Sequence, residues 1–145
     1  MSVSLVDGPF DPWAELRRHQ DRLSGRRGAF GATACFVGTM RDLNEGDAVA
    51  RMVLEHYPGM TERYLLHIRN AACQRWDLID AVILHRYGAI EPGEPIVLVA
   101  VWSPHRSAAF EACRFLIEEL KSRAPLWKKE VLRDGERWVT HNTPS

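Results

Sequence analysis

The three lysines of the chain are the residues whose type and position point most directly to chemistry. The 145 residues include 16 arginines but only three lysines, Lys121, Lys128 and Lys129, and these fall within nine residues of one another. Arginine cannot be deprotonated in a protein, whereas a lysine with a lowered pKa supplies a neutral, nucleophilic amine near pH 7. Their position therefore indicates a need for amine chemistry.

Lys121 and Lys128 are expected to face one pocket. Lys121 falls in the last turn of a predicted helix and Lys128 at the start of the next strand, while Pro125 ends the helix and turns the chain. Mutual repulsion and partial burial would each lower a lysine pKa. The residues alone leave an alternative open: a cation that favours a helix C-terminus, followed by an exposed strand lysine, in a chain whose genome composition makes lysine scarce.

Two further stretches are candidate anion-binding sites. The run SPHRS at 103–107 begins a helix, where backbone N–H groups favour anions and His105 and Arg106 can add charge-assisted hydrogen bonds. In the second stretch, Thr39, Met40 and Arg41 follow a strand that is expected to end at Gly38. The ends of strands often carry functional sites. Taken alone, each stretch is also explained as an ordinary element end with exposed polar side chains.

Apolar periodicity predicts the elements that must position these residues. Helices are expected over 11–23, 60–76 and 103–123, and strands over 29–38, 49–57, 79–87, 96–102, 127–132 and 137–141. The polar segment 41–47 is expected to be a mobile loop, and Asp134-Gly135 a two-residue hairpin turn. Paired strands between helices predict an α+β fold with a mostly antiparallel sheet and three main helices, in a single domain over 1–145.

Composition narrows the class of protein. The 19 basic and 19 acidic residues cancel, which argues against a general nucleic-acid binder, and the hydrophobic content of 46% argues against disorder. No secretory signal or membrane span is expected.

Cys35, Cys73 and Cys113 each fall in an apolar pattern and are expected to be reduced core thiols of a cytoplasmic protein. No spacing indicates a metal or cofactor site, and no glycine-rich phosphate loop is present.

Five stretches together resemble the catalytic (large) subunit of molybdopterin synthase, the MoaE family. They are FVGTMRD (36–42), LEHYPGMTE (54–62), HRYG (85–88), SPHRSAAFEA (103–112) and LKSRAPLWKKE (120–130). The pair Arg137-Trp138 also fits, so the resemblance covers about 28–139. The chain departs from some relatives at Thr39, where they have Lys, and at Asp42, where they have Asn.

The resemblance implies an α/β hammerhead-type fold and a homodimer within a heterotetramer. A small ubiquitin-like partner of the MoaD type would thread its C-terminal thiocarboxylate into the pocket, and the substrate would be cyclic pyranopterin monophosphate. Lys121 and Lys128 would be catalytic. The residues implied in substrate binding are Thr39, Met40, Arg41, His105, Arg106, Lys121, Lys128, Lys129 and Glu130, with His105 and Arg106 able to act across the dimer.

The function expected from this resemblance is sulfur transfer that makes the dithiolene of molybdopterin. One alternative is a non-catalytic dimeric module that binds a ubiquitin-like tail. Another is a lysine-dependent enzyme acting on a phosphorylated carbonyl substrate. The combination of Lys121, Lys128, His105 and Arg106 argues against the non-catalytic module.

Overall fold

The computed structural model describes residues 2–44, 46–132 and 135–139, and it has the expected α+β architecture. Asp134 of the predicted hairpin turn and His141 lie outside the described residues. The elements in chain order are β1 (Val3–Val6), α1 (Pro12–Asp21), a 3-10 turn (Ser24–Arg26), β2 (Ala32–Thr39), β3 (Leu43–Asn44), β4 (Asp47–His56), α2 (Met60–Trp76), β5 (Asp80–Arg86), β6 (Gly88–Ile90), β7 (Pro95–Ser103), α3 (Arg106–Arg123), β8 (Leu126–Leu132) and β9 (Gly135–Trp138).

Among the described residues, the first sheet has four strands in the order β1-β5-β7-β2. β1 runs parallel to β5, and the other pairs are antiparallel. The apolar strand β7 is buried on both faces, as its sequence predicts: Val99 packs in the core formed with α2 and α3, whereas Leu98 and Trp102 pack in the core beside α1. The sheet therefore lies between two helical layers.

A second antiparallel sheet has the order β3-β4-β8-β9, with β6 paired to β4 at its side. Its small core contains Met40, Met52, Leu54 and Ile90. Leu126, at the start of β8, packs against both this core and the core beneath α2 and α3. The α+β class, the three helices and the mostly antiparallel pairing are confirmed, and the division of the strands into two sheets is a feature that the sequence did not reveal.

The turn between α3 and β8 is fixed by Thr61, a fully buried residue in the first turn of α2. Its hydroxyl donates to the carbonyl of Pro125 at 2.9 Å and accepts from the backbone N–H of Tyr57 at 2.9 Å. Ala124 is extended, as expected for a residue before proline, so the helix ends at Arg123. The direction of β8 relative to α3 is thereby set by both chain stiffness and a buried hydrogen-bonded contact.

Three sequence expectations need correction. The segment 41–47, expected to be a mobile loop, contains β3, which pairs with the start of β4. Cys35 is exposed rather than in the core, because it points away from the face of β2 that packs Ala34 and Phe36. Phe110, part of the predicted apolar stripe of α3, is 70% exposed.

No helix in the described residues is long and apolar enough to cross a membrane.

Candidate functional site

A pocket of about 160 Å³ lies where the C-terminal turn of α3 meets both sheets. The end of β2 and the residues after it form one wall, and β4, β5, β7 and β8 contribute the others. The pocket brings together most of the residues singled out in the sequence. Those that line it are Thr39, Met40, Arg41, Lys121, Lys128 and Glu130.

Lys121 and Lys128 reach this pocket from two different elements. Lys121 is in the last turn of α3, and Lys128 is the third residue of β8. Side chains alternate along a strand, so Lys128 shares its face of β8 with Leu126 and Glu130, which also line the pocket. The turn at Pro125 thus places two amines in one cavity.

Burial controls the protonation of both lysines. The pKa of Lys128 is lowered to about 8, mainly by loss of solvation and also by the charge of Lys121, while Glu130 opposes the change. Burial also lowers the pKa of Lys121, with Glu118 opposing the shift and Arg41 contributing to it. A neutral amine at Lys128 is therefore accessible close to neutral pH.

Glu130 anchors the floor of the pocket. Its buried carboxylate accepts hydrogen bonds from Nδ2 of Asn44 at 2.8 Å and from Nε of Arg137 at 2.8 Å. Arg137 also donates to Oδ2 of Asp47 at 2.8 Å and to the carbonyl of Asn44 at 3.0 Å. These contacts tie β3 and β4 to β8 and β9.

The backbone of Met40 is clamped by the turn before β7. Its N–H donates to the carbonyl of Glu94 at 3.0 Å, and its carbonyl accepts from the N–H of Gly93 at 2.8 Å. Glu94 in turn lies against Arg86, with Oε1 3.3 Å from Nη1. This clamp sets the position of Arg41, the next residue along the chain.

Gly38 is required by packing within the sheet. A Cβ at this position would lie 2.8 Å from Cγ1 of Val97 and 3.2 Å from the ring of Phe36. The missing side chain thus lets β2 pack closely against Val97 and Phe36.

The other predicted site residues lie away from this pocket within one chain. Lys129 is on the opposite face of β8, where its Nζ is 3.8 Å from Glu136 and 5.6 Å from the ring centre of Trp138. His105 and Arg106 are exposed at the start of α3. Since an α-helix rises about 1.5 Å per residue, they are about 22 Å from Lys121 along the helix axis.

Sequence reasoning missed two pocket residues, Asn44 and His85. His85 is not among the site residues expected from the sequence, yet it is 4% exposed and lines the pocket. The signal was available in the alternation of β5, since His85 shares a face with Ala81 and Ile83, which pack beneath α2 and α3. Among the described residues, no group of three or more His, Cys, Asp or Glu side chains is placed to hold a metal ion.

The chain is similar to known proteins in sequence and in fold. The model of the family described as MoaE protein matches residues 7–123. A molybdopterin synthase catalytic subunit from Ralstonia nicotianae is 51% identical over 138 residues, covering 95% of this chain and 76% of that protein. A protein of the same name from Pseudomonas aeruginosa is 50% identical over 139 residues, covering 96% and 90%. A solved structure, the molybdopterin biosynthesis MoaE protein from Burkholderia ambifaria, has a TM-score of 0.79 and 44% identity, covering 99% of this chain and 92% of that one. The chain therefore belongs to the MoaE family.

Proposed function

We propose that this protein is the catalytic subunit of a molybdopterin synthase. It transfers sulfur from the C-terminal thiocarboxylate of a small ubiquitin-like subunit to cyclic pyranopterin monophosphate, and two rounds supply the two sulfurs of the dithiolene. The observation that carries the proposal is the convergence of Lys121 and Lys128 in the pocket that Arg41 also lines. Thiocarboxylate and phosphate are both anions, so a cationic pocket suits both reactants.

The three cations of the pocket have different protonation behaviour and therefore different roles. Arg41 stays charged and binds the phosphate or the carboxyl group of the tail. Lys128, with a pKa of about 8, is neutral in about a tenth of molecules at pH 7 and serves as the amine base or nucleophile. Lys121, adjacent to it, stabilises negative charge that develops during transfer.

A second copy of the chain completes the site. Within the described residues, β2 is an edge strand of the first sheet, and a groove of about 1140 Å³ runs between it and α3. Phe110 and Cys35, both exposed, lie in this groove. If two copies pair there about a twofold axis with their α3 helices antiparallel, the start of one α3 lies beside the end of the other.

That pairing accounts for the distance between the two groups of predicted site residues. His105 and Arg106 of one copy would approach the pocket that contains Lys121 of the other. They would then add two hydrogen-bond donors for the substrate phosphate, in agreement with the expectation that these residues act across a dimer. The protein is proposed to work in the cytoplasm, where thiols such as the exposed Cys35 stay reduced.

Reconstitution tests the proposed function. The purified protein is mixed with thiocarboxylated small subunit and cyclic pyranopterin monophosphate, and formation of the dithiolene is measured. We expect turnover that requires all three components. Binding of the small subunit without sulfur transfer would instead identify a non-catalytic module, and an adduct trapped on Lys121 by borohydride with a phosphorylated carbonyl compound would identify a different lysine-dependent enzyme.

A further inference from the structure

Two buried methionines border the pocket, and the roles assigned above to its three cations leave them unused. The chain contains four methionines, of which Met40 and Met52 line the pocket. They are 6% and 5% exposed, and both belong to the small core of the second sheet. The pocket thus has cationic groups beside a surface formed by two thioethers, which we call the methionine wall (Met40 and Met52).

The register of β4 and β8 places Met52 close to Lys128. In this antiparallel pair Met52 lies opposite Glu130, and Leu54 lies opposite Lys128. All four side chains line the pocket, so Met52 is the diagonal neighbour of Lys128 on one face of the sheet. Diagonal neighbours are about 7–8 Å apart, which is within reach of long side chains. A small anion bound by the Lys128 amine therefore lies within reach of the Met52 thioether.

Met40 joins the methionine wall from the other side of the pocket. It follows β2, and its backbone is held in place by the hydrogen bonds to Glu94 and Gly93 described above. The next residue, Arg41, also lines the pocket. The second thioether is therefore fixed in position beside a permanent cation.

The two ends of a thiocarboxylate need different surroundings. Its oxygen is a strong hydrogen-bond acceptor, whereas sulfur is polarisable and accepts hydrogen bonds weakly. A methionine side chain has no hydrogen to donate, but it makes favourable dispersion contacts with a sulfur atom. A carboxylate bound in the same way would turn one of its two oxygens to the methionine wall, where that oxygen lacks a donor and the loss of hydration is not compensated.

We infer that the methionine wall receives the sulfur atom of the bound thiocarboxylate while the lysines hold its oxygen, so that the pocket selects a sulfur-loaded tail over the same tail ending in a carboxylate. The inference deepens the proposed function and rests on it for the identity of the tail. The preference for a sulfur anion is a property of the pocket itself and can be measured separately. Such a preference keeps a tail without sulfur from occupying the site.

Thioacetate and acetate are the smallest matched probes, because they differ only in one sulfur atom. Each is titrated into protein labelled with ¹³C at the methionine methyl groups, and the signals are assigned with single Met→Leu variants. We expect thioacetate to shift the signals of Met40 and Met52 and to bind about tenfold more tightly than acetate. The signal of Met60, which is 48% exposed at the start of α2, should stay in place.

Substitutions at Met52 test the cause of the preference. Met52→Leu has a similar volume and also lacks a donor, so it should retain most of the preference. Met52→Gln offers an amide N–H to an oxygen, so acetate should bind about as tightly as thioacetate. Met60→Gln is the matched control and should leave both affinities unchanged. The small ubiquitin-like subunit, compared in its thiocarboxylate and carboxylate forms, should show the same order.

Equal affinity of the parent protein for thioacetate and acetate overturns the inference, and so does a Met52→Gln variant that keeps the tenfold preference. If Met52→Gln does not fold, the parent protein decides. Movement of the Met40 and Met52 signals, with tighter binding of thioacetate, supports the inference, whereas signals that stay in place overturn it. If the small subunit binds in neither form, the proposed function fails, while the thioacetate titration still decides whether the methionine wall receives sulfur.

Discussion

The carboxylate of Glu130 accepts a hydrogen bond from Nε of Arg137 at 2.8 Å, and this contact joins β8 to β9 two residues beyond Lys128. Glu130 lies on the same face of β8 as Lys128, and its negative charge raises the pKa of that lysine against the effect of burial. The Glu130–Arg137 pair therefore links the packing of β8 against β9 to the protonation of the Lys128 amine.

Neutralising Glu130 is expected to lower the pKa of Lys128. Glu130→Gln removes the attraction that favours the ammonium, so the lysine should titrate below about 8. Lysine NMR measures the change directly. Arg137→Leu is the matched control, since it breaks the same pair but leaves the carboxylate charged; in that variant the pKa of Lys128 should not fall. Equal shifts in both variants would show that loosening of the strands, and not charge, is responsible.

Replacing either pocket lysine by arginine should preserve charge and fold but abolish most activity. Arginine keeps its proton, so an amine base or nucleophile is lost, and we expect turnover to fall by about 10²–10⁴-fold for Lys128→Arg. The reconstituted sulfur-transfer assay measures this loss. Arg123→Lys, two residues after Lys121 at an exposed position paired with Glu119, serves as the control and should turn over normally. Normal turnover of Lys128→Arg would refute the need for a neutral amine.

The buried charge of Lys128 should lower the free energy of unfolding at neutral pH, relative to a variant with an uncharged side chain at this position. Its pKa is lowered from 10.5 to about 8 in the folded protein, so the charged form is penalised below pH 8. The folded state binds fewer protons than the unfolded state between these values, and stability therefore rises with pH across this window. Lys128→Met should gain about 1–3 kcal/mol at pH 7 and lose that pH dependence. Urea unfolding at several pH values tests both expectations, and a destabilised Lys128→Met variant would contradict them.

Local patterns predicted the long elements because each has a strong periodic signal. The 60–76 helix was placed with the observed ends, and β7 was expected to be buried on both faces, as it is. Three short strands were missed, namely β1, β3 and β6, because two to four residues are too few for alternation to show. Their pairing depends on distant partners: β1, for example, lies parallel to β5.

The candidate site was predictable where residue type carried the argument. The scarcity of lysine and the turn at Pro125 pointed to Lys121 and Lys128, and both line the pocket. Alternation along β5 places His85 on the core face, but whether that face borders a pocket depends on its packing beneath α3, and the contact of Asn44 with Glu130 spans 86 positions of the chain. Such contacts are set by tertiary structure, which no local pattern records.

Glu94 is expected to affect substrate binding although it lies outside the pocket. The backbone carbonyl of Glu94 accepts a hydrogen bond from the N–H of Met40. Its carboxylate accepts a hydrogen bond from the N–H of Glu91 at 2.7 Å and lies against Arg86. Glu94→Ala should loosen the clamp that positions Arg41 and raise KM for cyclic pyranopterin monophosphate several-fold, with a smaller effect on kcat. Steady-state kinetics measure the split. Glu91→Ala, an exposed change in the same turn, is the control; if both variants raise KM alike, the clamp is not the cause.

Mixed dimers test whether one site draws on two copies of the chain. Lys121→Ala and His105→Ala should each reduce sulfur transfer strongly as homodimers. If His105 acts in the pocket of the other copy, a dimer of one variant with the other has one site that lacks both groups and one site that is intact. After free exchange of subunits, about half of the dimers are mixed, and each mixed dimer has one intact site out of two. The mixture should then recover about a quarter of the parent activity. If His105 instead served its own chain, every site in the mixture would lack one group and no activity would return. The comparison requires that exchange be verified by mass spectrometry, with His105→Ala mixed with parent protein as the control for exchange alone.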